Sequence, residues 1–326
     1  MAYDLQDKLV VAISSRALFN LEHENQIFEN EGIEAYHRYQ IENENTILEK
    51  GTAFPLIEAL LSLNDKFEQP IVEVIILSSN SPETGLRVFN SISEYKLDIF
   101  RAAFTGGEDK LPYLSAFNVD LFLSRNEHDV QDAIDNGVAA ALVYDVPRDY
   151  QPNQKEIRIA FDADAVVFSE ESELIYKEKG LEAFIENENA NAENAMKEGP
   201  FAKLLKTLST IKEKDDSLVK IAIVTARNSP AHKRVILTLR EWGCKVDEMF
   251  FLGGVAKDKI LKAFNAHIFF DDQDYHVGPA SQLIPSGRVP YKSNSTLNQF
   301  IQENKQEEVC EHQEHGEENH HEEYHG

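Results

Sequence analysis

Two aspartates separated by one alanine, Asp162-Ala163-Asp164, interrupt an apolar run of Ile157, Ile159 and Phe161 that resumes at Ala165-Val166-Val167-Phe168. A buried strand ending this way delivers two carboxylates to its C-terminal edge, where open α/β sheets bind ligands. The one-residue spacing puts both side chains on one face. A second acidic group, Asp271-Asp272-Gln273-Asp274, follows the apolar run Ala266-His267-Ile268-Phe269-Phe270. Acids packed at a strand end repel one another unless a cation sits among them, and Asp162, Asp271 and Asp272 offer the hard oxygen ligands that Mg²⁺ takes together with substrate phosphate and water. Between the two groups, Ile221–Val224 ends in Thr225-Ala226-Arg227-Asn228, with Ser229-Pro230 expected to open the next helix. A hydroxyl and exposed backbone N–H groups at such a junction can hold phosphate oxygens. Lys257, just after Gly253-Gly254, can neutralise more of the phosphate charge. One aspartate is then free to attack phosphorus while the other moves a proton to and from oxygen. Taken singly, each piece has a plainer reading: an acidic turn, a strand terminus, a helix cap, a surface lysine. Phosphoryl transfer explains all four together.

The elements that must position these residues alternate between strand and helix. Leu9–Ile13, Val72–Leu77 and Val119–Leu123 read as buried strands in the first half, as do the three runs just described in the second. Helical spacing covers Asn20–Tyr39, Pro55–Leu63, Leu111–Phe117 and a stretch from Ser81-Pro82 to about Tyr95. This alternation predicts a parallel α/β sheet. About sixty residues separate Asp164 from Thr225, far more than the dozen or so a crossover needs. They contain two helical stretches, Glu170–Asn187 and Pro200–Lys212, and the aromatic residues Phe168, Phe184 and Phe201, which read as core or as a stack for a ring.

The second half repeats the order of the first. Offset by 148 positions, Gly32-Ile33-Glu34-Ala35-Tyr36 falls on Gly180-Leu181-Glu182-Ala183-Phe184, and Asn80-Ser81-Pro82 falls on Asn228-Ser229-Pro230. After one deletion, Phe104-Thr105-Gly106-Gly107 meets Phe251-Leu252-Gly253-Gly254, and Lys110 meets Lys257. Matches in one order with one gap are the signature of an internal duplication. In the first copy Ser14, Arg16, Leu77, Ser124 and Arg125 stand where the second has Asp162, Asp164, Thr225, Asp271 and Asp272. Chemistry is therefore expected in the second half. The division expected is a non-catalytic half over 1–150, a catalytic half over 151–300 with a cap at about 168–217, and a tail over 301–326.

A chain of 326 residues suffices for roughly two domains. Its net charge of −25 disfavours nucleic acid or an anionic membrane as partner. A phosphate ester stays admissible where a metal reverses the local field. Two cysteines, Cys244 and Cys310, suit a reducing compartment, and neither a signal peptide nor an apolar run of membrane-spanning length is evident, so a cytoplasmic place is expected. The tail carries nine glutamates against Lys305 and should be disordered; its five histidines read as solvated, with stray divalent metal as the alternative.

The order D-x-D, Thr, Lys and D-D resembles the haloacid dehalogenase superfamily of phosphotransferases. That resemblance implies a Rossmann-type fold in each half with a helical cap insertion, Asp162 as nucleophile forming an aspartyl phosphate, and Asp164 as acid/base that also lends a backbone carbonyl to Mg²⁺. The passages VVAISSRALF, NSPETGLRVFNSI, LDIFRAAFTGG, AFNVDLFLS, IAFDADAVVFS, VTARNSPAHKRVI and FLGGVAKDKILKAF more closely resemble the cytosolic 5′-nucleotidase type I family, the AMP-preferring group, over about residues 8–292. This implies Mg²⁺-dependent hydrolysis of nucleoside 5′-monophosphates, with Ala226, Arg227 and Asn228 on the substrate. A sugar phosphatase or mutase, or a non-enzymatic nucleotide sensor, stays open, and a homo-oligomer is compatible with the sequence.

Overall fold

Five strands from each half line up as one continuous sheet in the computed structural model, which describes residues 4–145, 147–153 and 155–304. The strands are β1 (Leu9–Ile13), β2 (Val72–Ser78), β3 (Arg101–Phe104), β4 (Leu121–Ser124), β5 (Ala140–Val143), β6 (Ile157–Phe161), β7 (Val219–Thr225), β8 (Glu248–Phe251), β9 (Ile268–Asp271) and β10 (Ser286–Arg288). Their order across the sheet is β8-β7-β6-β9-β10-β5-β4-β1-β2-β3. Every neighbouring pair is parallel except β10 and β5, which meet antiparallel at the centre. Read outward from that pair, both wings place their first strand between their second and fourth. The residues just past β1 and β4, and those just past β6 and β9, thus lie side by side at C-terminal strand edges, where an α/β sheet opens a crevice.

Strands β1 and β2 are buried along their whole length, and β7 everywhere but at Lys220, as apolar runs covered on both faces must be. The core cluster draws on both wings, with Val11, Phe54 and Phe122 joined to Ile159, Phe161 and Phe270. Helix Ala202–Lys214 buries Leu204, Leu205, Leu208 and Ile211 in that core, so it serves as the crossover into β7. The helix ahead of it, Glu171–Ala190, does not lie on the sheet in this way and buries Ser172, Glu173, Phe184 and Glu188. Gly180, at φ 81°, breaks it in two. In the N-terminal wing, Gly32, at φ 85°, separates helices Glu22–Glu31 and Ile33–Glu42. Glycine enters this left-handed region without the steric cost of a Cβ.

Three expected boundaries shift: the helix expected to open at Ser229-Pro230 starts at His232. The helix expected from Ser81-Pro82 begins at Leu86, because Ser81 closes a turn of its own: its hydroxyl accepts from the Thr84 N–H and its carbonyl from the Gly85 N–H. Residues 296–304 are helical, with Leu297 buried, so ordered backbone runs past position 300. The remainder of the expected disordered tail, with its histidines, lies outside the described residues. No helix among the described residues is long and apolar enough to cross a membrane.

Candidate active site

The end of β6 delivers Asp162, and the neighbouring strand β9 delivers Asp271 and Asp272. Phe270 pairs with Phe161 across the two strands, and the Asp162 N–H donates to the Phe270 carbonyl at 2.7 Å, which fixes the two strand ends side by side. Asp162, Asp271 and Asp272 are buried, and each offers a carboxylate oxygen such that the three atoms lie within 4.8 Å of one another. Lys257 stands at the start of helix Asp258–Phe264 and donates to Asp162 Oδ1 and Asp271 Oδ2, both at 2.6 Å. The other Asp271 oxygen accepts from the Gln273 N–H at 2.9 Å. Asp272 accepts from the Tyr291 hydroxyl through Oδ2, while its Oδ1 is buried with no partner among the described residues. Glu173, on helix Glu171–Ala190, accepts from the Gln273 side chain at 2.6 Å and faces this group.

Burial sets the electrostatics. Burial pushes the Asp162 carboxyl up to about 7, with Lys257 opposing and Asp271 and Asp164 adding to it. Glu173 rises to about 8, first through burial and then through Asp164 and Asp162. Asp272 is raised well above the carboxylate range by burial and by Glu173. Burial disfavours the Lys257 ammonium, but Asp162 and Asp271 outweigh it and raise its pKa. Among the described residues, the cations paired with Asp162, Asp271, Asp272 and Glu173 are Lys257 and, at 3.9 Å from Glu173, Lys177. Two negative charges stay uncompensated when all four acids are ionised. The bare Asp272 oxygen, the all-carboxylate donor set and this charge deficit fit one hard divalent cation.

A second layer is balanced within itself. Arg227 grips Asp164 through Nε at 2.7 Å and Nη2 at 2.6 Å, and reaches Glu188 with Nη1. Glu188 also accepts from Arg234 at 3.0 Å and from Ser172 at 2.8 Å. The guanidinium of Arg227 lies 5.2 Å from the Phe184 ring centroid. Arg227 therefore ties the segment after β6 to the helix that stands over it.

The sequence-derived residues do not all converge. Asp162, Asp271, Asp272 and Lys257 meet in one cluster, and Asp164 meets Arg227. Thr225 ends β7 beside β6, buried, its hydroxyl accepting from the Arg227 N–H at 3.2 Å. Ala226 and Asn228 are exposed. Phe168 and Phe201 are wholly buried, packed on Trp242 and on Phe161 and Phe270 respectively. Glu173, Glu188, Arg234 and Tyr291 were not singled out from the sequence. Glu173 and Glu188 belong to an acid-rich helix in which nothing in the residue pattern separates them from solvated neighbours.

Fold and site define a parallel-sheet α/β protein with a buried, acid-rich, lysine-bridged centre at its strand ends. A family model described as 5'-nucleotidase matches residues 1–296, and the chain belongs to that family. Cytosolic 5'-nucleotidase 1B of Homo sapiens is 36% identical over an alignment of 292 residues that covers 85% of this chain and 48% of that protein. The chain thus spans about half the length of this curated relative. A solved structure of a Pnkp1/Rnl/Hen1 complex aligns over 88% of this chain and 97% of that one at 10% identity and a TM-score of 0.31, too slight a likeness to carry an argument.

Proposed function

We propose that this protein is a Mg²⁺-dependent phosphoric monoester hydrolase of the haloacid dehalogenase type, acting on nucleoside 5′-monophosphates of the AMP kind. The observation that carries the reading is Lys257 held between Asp162 and Asp271, beside an Asp272 oxygen with no partner among the described residues. Asp162, Asp271 and Asp272, with the Asp164 carbonyl, would hold Mg²⁺. When bound, the ion supplies Lewis-acid neutralisation of the phosphate oxygens. A free Asp162 oxygen attacks phosphorus, and the bond from phosphorus to the nucleoside 5′-oxygen breaks. Asp164 gives that oxygen its proton, then takes a proton from the water that attacks the aspartyl phosphate, so nucleoside and phosphate leave and Asp162 is restored. Lys257 and the Thr225 hydroxyl counter the developing charge. Asp164 is tied to Arg227 by two hydrogen bonds, so Arg227 must exchange Asp164 for substrate before Asp164 can act.

In this reading residues 151–300 form the catalytic half; its cap narrows from the expected 168–217 to helix Glu171–Ala190, since Ala202–Lys214 packs in the core as a crossover. Residues 1–150 form a duplicated half without catalysis. The common strand order of the wings and the glycine breaks at Gly32 and Gly180 support the duplication. The cysteine usage supports a cytoplasmic place. Phosphate release from AMP, IMP and hexose phosphates, with and without Mg²⁺, tests the proposal. Mg²⁺-dependent release from AMP is expected. Preference for hexose phosphates would overturn the substrate class, and release unaffected by chelation would overturn the metal role.

A further inference from the structure

The N-terminal wing contains a cavity of 420 Å³ at the C-terminal edge of β1, β2 and β4, bounded on its outer side by helices Glu22–Glu31 and Ile33–Glu42. That volume lies within the roughly 300–1,000 Å³ usual for small-molecule sites. Its floor stands in the same relation to β1 and β4 as the acid cluster does to β6 and β9. The Ser14 N–H donates to the Leu123 carbonyl at 2.9 Å, as the Asp162 N–H does to Phe270. Ser124 ends β4 as Asp271 ends β9, and Lys110 begins a helix as Lys257 does. Both carboxylates at these places have become hydroxyls while the lysine is kept.

This exchange changes what the floor can bind. Ser14 Oγ accepts from the Ala17 N–H, and Ser124 Oγ from the Asn126 N–H. Neither hydroxyl proton has a partner among the described residues. Lys110 is 6% exposed and, among the described residues, its ammonium meets one acceptor, Asp129 Oδ1 at 2.9 Å, which leaves two of its three donors over. Arg16 and Arg125 both pair with the single carboxylate Glu22, Arg125 pairing also with the exposed Asp145. Unspent hydroxyl and ammonium donors suit an anion met directly, and the acids that line the cavity, Glu24 and Asp129, are already paired with Arg87 and Lys110. The opposite wall is apolar and aromatic. Tyr36 is held by hydrogen bonds from Asn80 at 2.8 Å and Gln40 at 3.0 Å, and Phe28, 47% exposed, stands edge-on to it at 6.0 Å. A planar ring would cover these surfaces.

We infer that this cavity is a second ligand site, which takes a nucleoside phosphate without metal and without turnover: phosphate on Ser14, Ser124 and Lys110, base against Phe28 and Tyr36. The inference does not depend on hydrolysis in the other wing. Titration calorimetry of the full chain with AMP in EDTA tests it, using wild type, Lys110→Ala, Ser14→Asp, Tyr36→Ala and Lys257→Ala. Wild type should bind AMP. Lys110→Ala and Ser14→Asp should each weaken binding at least about tenfold, Tyr36→Ala should weaken it severalfold, and Lys257→Ala should change it less than twofold. Should Lys110→Ala fail to fold, Ser14→Asp and Tyr36→Ala decide. Adenosine and inorganic phosphate should each bind at least about tenfold more weakly than AMP. No binding in EDTA, or binding lost in Lys257→Ala and kept in Ser14→Asp, would overturn the site. Inorganic phosphate binding as tightly as AMP would overturn the nucleoside part.

Discussion

Lys257 joins the ends of two neighbouring strands, its ammonium standing 2.6 Å from an oxygen of Asp162 and 2.6 Å from an oxygen of Asp271. In the proposed mechanism a buried cation so placed would hold the attacking carboxylate in position and offset charge as phosphate approaches. Lys257→Met keeps much of the length and removes the charge. Its turnover should fall by about 10²–10³, the usual loss when one preorganised electrostatic donor is removed. Steady-state kinetics on AMP with saturating Mg²⁺ measure it, and a loss under tenfold would remove Lys257 from the chemistry.

Asp162→Asn should abolish turnover while the protein still folds. An amide cannot attack phosphorus as a carboxylate does, and loss of a nucleophile costs several orders of magnitude. More than about a hundredth of wild-type activity in the purified variant would refute the role.

The raised carboxyls give the metal-free protein a pH dependence of defined sign. Asp162 at about 7 and Glu173 at about 8 keep their protons in the folded state through a range where the unfolded chain has already lost them. Stability therefore falls as pH rises from the unfolded values through these folded ones, by an amount of order a few kcal/mol. Burial holds His267 and His276 low, so their opposite contribution ends near their ordinary unfolded value. Between pH 6.5 and 8.5 the melting temperature in EDTA should fall, and the fall should be smaller in Asp162→Asn. Mg²⁺ should raise the melting temperature more at pH 8.5 than at 6.5, since its ligands must be ionised. A melting temperature in EDTA that rises across this window would contradict the burial of these groups.

Much of this arrangement was legible in the sequence because it is written in contiguous apolar runs. The strands bearing Asp162, Thr225 and Asp271 are buried on both faces, so their apolar character marks them and their first polar residues mark the edge. Strands β3, β5, β8 and β10 were not legible: each has three or four residues, and Ser286-Gly287-Arg288 carries no apolar side chain. Their place comes from neighbours already paired. β10 and β5 join the wings antiparallel, a relation that no local pattern encodes. The contacts of helix Glu171–Ala190 were hidden for a similar reason. Glu188 becomes a buried partner of Arg227 and Arg234 only after the break at Gly180 folds its helix back, and Tyr291 reaches Asp272 from a loop with no periodicity.

Asp164→Asn should slow hydrolysis according to the leaving group. A nucleoside 5′-oxygen needs a proton as its bond to phosphorus breaks, and general acid catalysis contributes roughly 10²–10⁴-fold. Nitrophenyl phosphate, whose leaving group needs little help, should lose much less. Equal losses in kcat on AMP and nitrophenyl phosphate would count against the acid role.

The Arg227 bridge gives the last test, since Asp164 and Glu188 share one guanidinium. Glu188 is buried, and its carboxylate accepts from Arg227, Arg234 and Ser172. Glu188→Gln keeps the shape and removes the charge, leaving Arg234 without its ionic partner and Arg227 with Asp164 alone. Breaking a buried ion pair by removing one partner costs about 3–5 kcal/mol when the remaining charge stays dry. Arg234 has some access to water, with 11% of its side chain exposed, so a cost toward the lower end is expected. The same change should bind Arg227 more firmly to Asp164 and hinder the exchange on which the acid role depends. Turnover on AMP should drop more than turnover on nitrophenyl phosphate, and faster proteolysis within 171–190 should accompany it. A variant as stable as wild type, with both substrates slowed equally, would mean that Glu188 neither fastens the cap nor governs the release of Asp164.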